Sequence, residues 1–313
     1  MNNFLYCFDD NYNIPAACSI YSLLENSIDE INIYILHKNQ NNSDFFPKKI
    51  LDHKKLKKIN VIKVDLSHIH FPNIFGSHVS EATYYRLFIQ DYLKDEIKYI
   101  TYLDCDIFCI NNPNLLIDKT ITKMEESGKI ISTTLEPGLF SYGKNTLNIK
   151  PNKYFNAGVM VINLDQWKFK NLKEEFLKLI NQQNEKLLFW DQDVLNLYFN
   201  GDYEILPDAL NTKVDMEVDN NAQKFSEDDI QNLSLLHYSG KFKPWSVRGA
   251  INDNSDYFQD IYRKLYDKKY YLNIGYKVNA IKDLVTSIIN GTLFKSRFPF
   301  RLIWYTISSL IIK

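Results

Sequence analysis

Tyr99-Ile100-Thr101-Tyr102-Leu103-Asp104-Cys105-Asp106 sets two carboxylates one residue apart, directly behind an apolar, β-branched and aromatic run that reads as a buried strand. Side chains alternate across a pleat, but where a strand ends and the backbone turns, Asp104 and Asp106 can converge on one cation. A hard divalent ion held by oxygen ligands, with positions left open, suits a phosphate-bearing substrate. The plain alternative is a strand end with solvated acids. Four further clusters bear on the choice. Asp9-Asp10-Asn11-Tyr12 offers acceptors and an aromatic face to a nucleobase and ribose, or simply caps a strand-to-helix turn. Phe155-Asn156-Ala157-Gly158 places an amide just ahead of a glycine that lets backbone approach a ligand, or turns into a buried strand. Asp191-Gln192-Asp193 opens a helix, where the dipole favours acids in any protein. His237-Tyr238-Ser239-Gly240-Lys241-Phe242-Lys243-Pro244-Trp245 supplies an imidazole for a metal, a flexible glycine and a lysine suited to phosphate.

The surrounding pattern supplies elements to position these groups. Apolar runs at Asn3–Phe8, Ile31–Leu36 and Asn60–Val64 alternate with segments of helical length, Ile14–Ser27 and Phe46–Lys58, which predicts a parallel α/β sheet. Ser80 or Glu81 opens a helix through Leu93 that hands the chain to the strand ending at Asp104. Ligands of such sheets bind outside the carboxyl ends of strands, so Asp9–Tyr12 and Asp104/Asp106 are expected to share one crevice. The second half predicts strands at Ile130–Thr134 and Gly158–Ile162, a helix from Asp165 to about Asn181, and a helix from Asp191 closed by Gly201. Lys38–Asn42 reads as a solvated loop, and the polar, acidic, poorly periodic Asn211–Asp229 as a mobile one.

Composition narrows the function classes. A chain of 313 residues with 45% hydrophobic and 24% charged residues buries a sizeable core, and a net charge of −1 argues against a dedicated nucleic-acid binder. The charge is uneven: beyond residue 270, Lys277, Lys282, Lys295, Arg297, Arg301 and Lys313 stand against Asp283 alone. Cys7, Cys18, Cys105 and Cys109 lack metal-ligand spacing and read as reduced core thiols, which with no visible signal peptide fits a cytosolic protein. The longest apolar stretch, Leu302–Ile312, is about half of the roughly 20 residues a membrane span needs. It follows Lys295-Ser296-Arg297-Phe298-Pro299-Phe300-Arg301 and contains Trp304 and Tyr305, the mixture of an interfacial membrane anchor; a terminal helix packed on its own domain is the alternative.

Taken together and in this order, Asp-Asp-Asn-Tyr, Tyr-Leu-Asp-x-Asp, Phe-Asn-Ala-Gly-Val, Asp-Gln-Asp and His-x-x-Gly-x-x-Lys-Pro-Trp closely resemble glycosyltransferase family 8, in particular the bacterial galactosyltransferases that extend lipooligosaccharide. The resemblance covers about Phe4 to Trp245. It implies an α/β GT-A fold, Rossmann-like, with a mixed sheet flanked by helices over residues 1–270, and leaves 271–313 as a small basic, aromatic, membrane-associating tail. It also implies a UDP-galactose or UDP-glucose donor, a Mn²⁺ ion with Mg²⁺ as the other choice, and transfer with retention. Position by position, Asp104, Asp106 and His237 look like the metal ligands, Lys243 and Gly240 like the diphosphate contacts, and Asp9, Asn11 and Tyr12 like the uridine contacts. Cys7 stands beside the uracil, Cys105 lies between the ligands, and Arg86 matches an arginine that holds the donor; without the resemblance it reads as a surface partner of Asp91 or Glu81. Asn156 and Gly158 fall around the donor sugar, and Asp191 and Gln192 face its hydroxyls and anomeric carbon as the catalytic pair. His78, Phe189 and Trp190 fall on the acceptor side.

One departure stands out. Relatives carry an aspartate after the strand of the second half, where this chain reads Ser132-Thr133-Thr134-Leu135-Glu136, so either Glu136 takes over the sugar contact or the contact is missing. Gln192 is a weak nucleophile beside a carboxylate, which favours front-face attack by the acceptor hydroxyl with the leaving phosphate taking its proton. The tail points to a cytoplasmic protein on the inner face of the membrane, with a lipid-linked saccharide acceptor. A haloacid-dehalogenase-like phosphatase also places Asp-x-Asp behind a strand, but it would want a small turn residue where Ile107-Phe108 stand. A non-catalytic sugar-nucleotide-binding protein on the membrane would show a damaged ligand set, and Asp104, Asp106, His237 and Lys243 are intact.

Overall fold

A computed structural model describes residues 2–72, 80–216, 225–240, 242–273 and 277–311. Its main sheet has seven strands in the order β3-β2-β1-β4-β7-β6-β8. These are β1 (Asn2–Phe8), β2 (Ile31–His37), β3 (Leu56–Lys63), β4 (Tyr99–Leu103), β6 (Ile131–Leu135), β7 (Phe155–Asn163) and β8 (Glu204–Ile205). A second sheet joins β5 (Ile107–Cys109), β10 (Leu235–Ser239) and β9 (Thr212–Asp215) in the order β5-β10-β9. The first half is parallel as the alternation predicts, and β7 runs against both β4 and β6, so the large sheet is mixed.

Burial on both faces explains the near-continuous apolar runs. Every residue of β2 is buried, and side chains of β1 alternate between two cores: Phe4, Tyr6 and Phe8 pack with the Asn13–Asn26 helix and the small sheet, while Leu5 and Cys7 face Tyr84, Phe88 and Trp167. This topology brings the chemistry to one edge. β1 pairs with β4 in parallel, so Asp9–Tyr12 and Asp104–Asp106 leave the sheet side by side. Because β7 runs the other way, its first residues reach the same edge, where the Gly158 carbonyl accepts the Asp104 N–H at 2.9 Å. β10 pairs with β5 antiparallel, setting His237 opposite Ile107 just past that turn.

Several expectations are corrected. The helix expected over Phe46–Lys58 is a single turn, Lys48–Leu51, since His53 Nδ1 accepts the Lys55 N–H (3.2 Å) and bends the chain into β3 by Leu56. The Ser80–Leu93 segment is 3₁₀ over Glu81–Phe88 and α-helical only over Ile89–Tyr92. The helix expected over Asp165–Asn181 is two, Leu164–Phe169 and Leu172–Gln183, divided where Asn171 takes a left-handed conformation (φ 48°). β7 begins three residues earlier than expected, at Phe155. The supposed loop Asn211–Asp229 opens with β9, anchored by buried Val214, and ends in a helix, Glu227–Asn232, started by a Ser226/Asp229 capping box; residues 217–224 lie outside the described residues.

The C-terminal helices Lys277–Ile289 and Pro299–Ile311 share a small core in which Ala280, Leu284, Leu293 and Leu302 meet Val247, Ala250, Ile251 and Tyr270. Packing on the body and an apolar outer face coexist: Val278, Ile289, Phe300 and Trp304 are 65–81% exposed. Among the described residues no helix is long and apolar enough to cross a membrane.

Candidate functional site

The chain turns tightly after β4, with the Ile107 N–H bonding the Asp104 carbonyl at 3.1 Å. That turn presents both carboxylates to His237 of β10, and one ligand atom from each of Asp104, Asp106 and His237 lies within 4.8 Å of the other two. They open into a cavity of about 510 Å³. Its walls bring together nearly all the residues singled out in the sequence: Cys7, Asp9 and Tyr12 from the first turn, Arg86, Cys105, Asn156, Phe189, Trp190, Asp191 and Gln192, and Gly240 and Lys243. Asn11 does not line it; it borders a separate cavity with Asp10, Tyr271 and Tyr305. Gly158 sits behind the wall, beneath His237, and His78 lies outside the described residues.

The metal-ligand candidates are held in unlike electrostatic states. Burial pushes the Asp104 carboxyl up to about 6, with Arg86 opposing and Asp106 adding to the rise. Burial also opposes charge on Asp106, but the Lys243 ammonium at 2.7 Å outweighs it and holds that carboxyl below its usual range. His237 is pushed down to about 4, chiefly by burial, and is neutral near neutral pH. Its Nε2 faces Asp106 Oδ1 at 3.5 Å, and that buried oxygen has no hydrogen-bond partner. An orphaned carboxylate oxygen beside a neutral imidazole and a second carboxylate is a donor set that fits a divalent cation.

Arg86 is not the surface residue its helical spacing would give. Buried, it bonds Asp191 through Nε and, through Nη1, both Asp104 Oδ1 (3.1 Å) and the Ala157 carbonyl (2.7 Å), with its guanidinium over the Tyr102 ring. Tyr102 in turn donates to Asp104 Oδ1 at 2.5 Å. Asp191 is fully engaged, one oxygen by Arg86 and the other by the Thr83 hydroxyl (2.7 Å). Gln192 is fixed as well: its Oε1 accepts the Ala157 N–H at 2.9 Å and its amide donates to Tyr154 at 3.2 Å. Trp190, just before this pair, has a left-handed backbone (φ 50°), a strained state for an aromatic that aims the following residues into the cavity. Asp193, the second acid of Asp-Gln-Asp, is structural: it accepts from Tyr154, Tyr142 and the Phe189 N–H, and does not line the cavity.

Two groups escape a reading of the sequence. Lys213 lines the cavity and pairs with Glu136 at 2.7 Å, and Asn211 bonds His237, Asn156 and Thr134. Both sit at the head of the segment that looked like a loop; the signal was the short alternation Thr212-Lys213-Val214. Glu136 does reach the cavity, where it accepts from Asn156 Nδ2 at 2.9 Å.

The model of the family described as glycosyl transferase family 8 matches residues 3–249. Lipopolysaccharide 1,2-glucosyltransferase of Escherichia coli is 31% identical over 309 residues, 95% of this chain and 87% of that protein. General stress protein A of Bacillus subtilis (strain 168) is 27% identical over 266 residues, 80% of this chain and 90% of that one. Among solved structures, the galactosyltransferase LgtC in complex with donor and acceptor sugar analogues superposes with a TM-score of 0.69 at 22% identity, covering 84% of this chain and 96% of LgtC. The shared fold is GT-A, and with the family match running from β1 past Lys243, this chain belongs to glycosyl transferase family 8.

Proposed function

We propose that the chain moves a hexose, galactose or glucose, from a UDP-sugar to a hydroxyl of a surface glycan such as lipooligosaccharide, with retention at the anomeric carbon. The observation that carries this reading is the convergence of Asp104, Asp106 and His237, beside Lys243, in the cavity that the Asp9–Tyr12 turn also borders. Asp104, Asp106 and His237 would hold Mn²⁺, or Mg²⁺ in its place. When bound, the ion supplies positive charge to the diphosphate and so stabilises UDP as a leaving group.

The chain's own residues do the rest. Asp9, Tyr12 and Cys7 form the uridine end, with Asn11 as an outer support, and Lys243 and Gly240 the diphosphate end. Arg86 is a preorganised cation at the donor, held by Asp191. Asn156, Gln192 and the Glu136–Lys213 pair border the hexose, Gly158 backs them, and His78 and Phe189 belong to the acceptor side. With both Asp191 oxygens engaged and the Gln192 amide held at both ends, neither is poised to attack carbon. This favours attack of the acceptor hydroxyl on the face that UDP leaves, its proton passing to the departing phosphate.

Residues 1–270 act as the catalytic domain and 271–313 as a peripheral anchor to the inner face of the cell membrane, which suits a lipid-linked acceptor; the name of the Escherichia coli relative points the same way. The test is a panel of UDP-hexoses with Mn²⁺, Mg²⁺ or EDTA. One UDP-hexose should be hydrolysed with metal and not with EDTA, and transfer to a saccharide acceptor found by screening with that donor should give the α-linked product. Metal-independent turnover or an inverted linkage contradicts the reading.

A further inference from the structure

The hydrogen bonds behind His237 fix their own polarity. At one end the Gly158 N–H meets an amide atom of Asn156 at 3.0 Å, and a backbone N–H only donates, so that atom is the oxygen, Oδ1. An amide oxygen only accepts, so the Asn211 atom 3.0 Å from it is Nδ2, which also donates to Thr134 Oγ1 at 2.7 Å. The remaining Asn211 atom is therefore Oδ1, and its 2.8 Å contact with His237 Nδ1 requires a hydrogen on that nitrogen. The far end agrees: Asn156 Nδ2 donates to the Glu136 carboxylate at 2.9 Å, which is paired with the Lys213 ammonium. Asn211 and His237 are each only 4% exposed, so this contact is made inside the protein, away from bulk water.

We infer that Asn211 is a positioning residue that locks His237 in the Nδ1–H tautomer and so keeps the Nε2 lone pair aimed at Asp106. Nε2 faces the buried Asp106 Oδ1, two acceptors with no hydrogen between them, which is an arrangement a cation satisfies. The Lys213–Glu136–Asn156–Asn211–His237 chain joins the proposed hexose wall to the proposed metal ligand, so the ring orientation is set by the residues that border the sugar.

This deepens the metal reading above and rests on it for the purpose of the lone pair, though not for the tautomer itself. The first test needs no metal. In ¹⁵N-histidine NMR of the metal-free protein, the His237 resonances, assigned by their loss in His237→Gln, should show Nδ1 protonated and Nε2 unprotonated. An Nε2–H ring overturns the inference. The second test is Mn²⁺ affinity by electron paramagnetic resonance. Asn211→Leu should bind Mn²⁺ about 10- to 100-fold more weakly than wild type, as loss of a ligand's outer partner does elsewhere. Asn211→Asp keeps the acceptor toward His237 but loses the donor to Asn156 Oδ1, so it should recover only part of the loss. Equal affinity in Asn211→Leu and wild type overturns the positioning role, and wild-type protein that binds no Mn²⁺ contradicts the metal reading alone, with the tautomer still deciding the inference.

Discussion

Gly158 lies so close to the His237 imidazole that a Cβ at position 158 would stand 2.5 Å from Cε1 and 3.0 Å from Nδ1. The sequence points to a glycine that admits a ligand to the backbone; what it admits is the candidate metal ligand itself. The ring is held from behind by Asn211 and cannot retreat freely. Gly158→Ala should therefore weaken Mn²⁺ dependence at least about 10-fold, as displaced ligands do, and cost about 1–3 kcal/mol of stability through overpacking. Metal titration and urea denaturation read the two effects, and unchanged metal dependence would rule out the wedge.

Arg86 is the only cation in hydrogen-bond contact with Asp191 among the described interactions, and it also braces Asp104. Replacing it with methionine leaves a buried carboxylate without its charge partner, a loss of about 3–5 kcal/mol for pairs of this kind. A fall in unfolding free energy of that size, read from guanidinium chloride denaturation, is expected. A stability equal to wild type would mean that the pair carries no structural weight.

His37 offers a pH signature away from the cavity. Its Nδ1 accepts the Asn39 and Gln40 N–H groups, both at 2.9 Å, and Nε2 bonds Asn13 Oδ1 at 2.9 Å, so the ring is held neutral. Burial lowers its pKa below 6.5, with Asp10 and Asp9 opposing. A base with a depressed folded pKa contributes stability that is complete above its unfolded value and lost as pH falls through it. The His37 contribution to unfolding free energy should drop from about pH 7 toward pH 5, by at most about 1.4 kcal/mol per pH unit. Asp104, held up to about 6, contributes the opposite sign in the same window, so the test is the difference between wild type and the His37 variant. His237, also held low, adds the same sign of slope. His37→Gln should flatten the profile measurably, and an unchanged slope would contradict the assignment.

The apolar outer face of the tail predicts binding to vesicles carrying anionic lipid. Removing the tail is a poor test, because Leu293 and Leu302 also cover Val247, Ala250 and Ile251. Phe300→Ser with Trp304→Ser changes only exposed side chains and should abolish co-sedimentation while leaving donor hydrolysis intact. Co-sedimentation at the wild-type level would remove the anchor.

What is legible in the sequence follows the range over which each signal acts. The parallel half of the sheet declares itself by alternating apolar runs, and Asp104 and Asp106 by residue type at a strand end, whereas His237, in the middle of β10, is picked out only by the family resemblance. Arg86 misleads because helical spacing offers the local partners Glu81 and Asp91, whereas its actual partners, Asp104 and Asp191, come from remote parts of the chain. Asn211 and Lys213 are hidden because β9 is a four-residue strand that exists only by pairing with β10, in a polar context that reads as loop. Asp193, which the sequence shows only as an acid at a helix start, is a buried cap by contact. The 3₁₀ character of Glu81–Phe88 leaves no trace in periodicity that a short α-helix would not also leave.

The central claim is that Asp104, Asp106 and His237 hold a divalent cation at the diphosphate of a UDP-sugar. Electron paramagnetic resonance of free Mn²⁺, titrated with protein in the presence of UDP, tests it most directly. One Mn²⁺ should bind per chain, tighter with UDP than without, and Asp106→Asn with an unchanged circular dichroism spectrum should weaken it by more than about 100-fold, beyond what loss of an outer partner costs. Mn²⁺ binding by Asp106→Asn at wild-type affinity would contradict the claim.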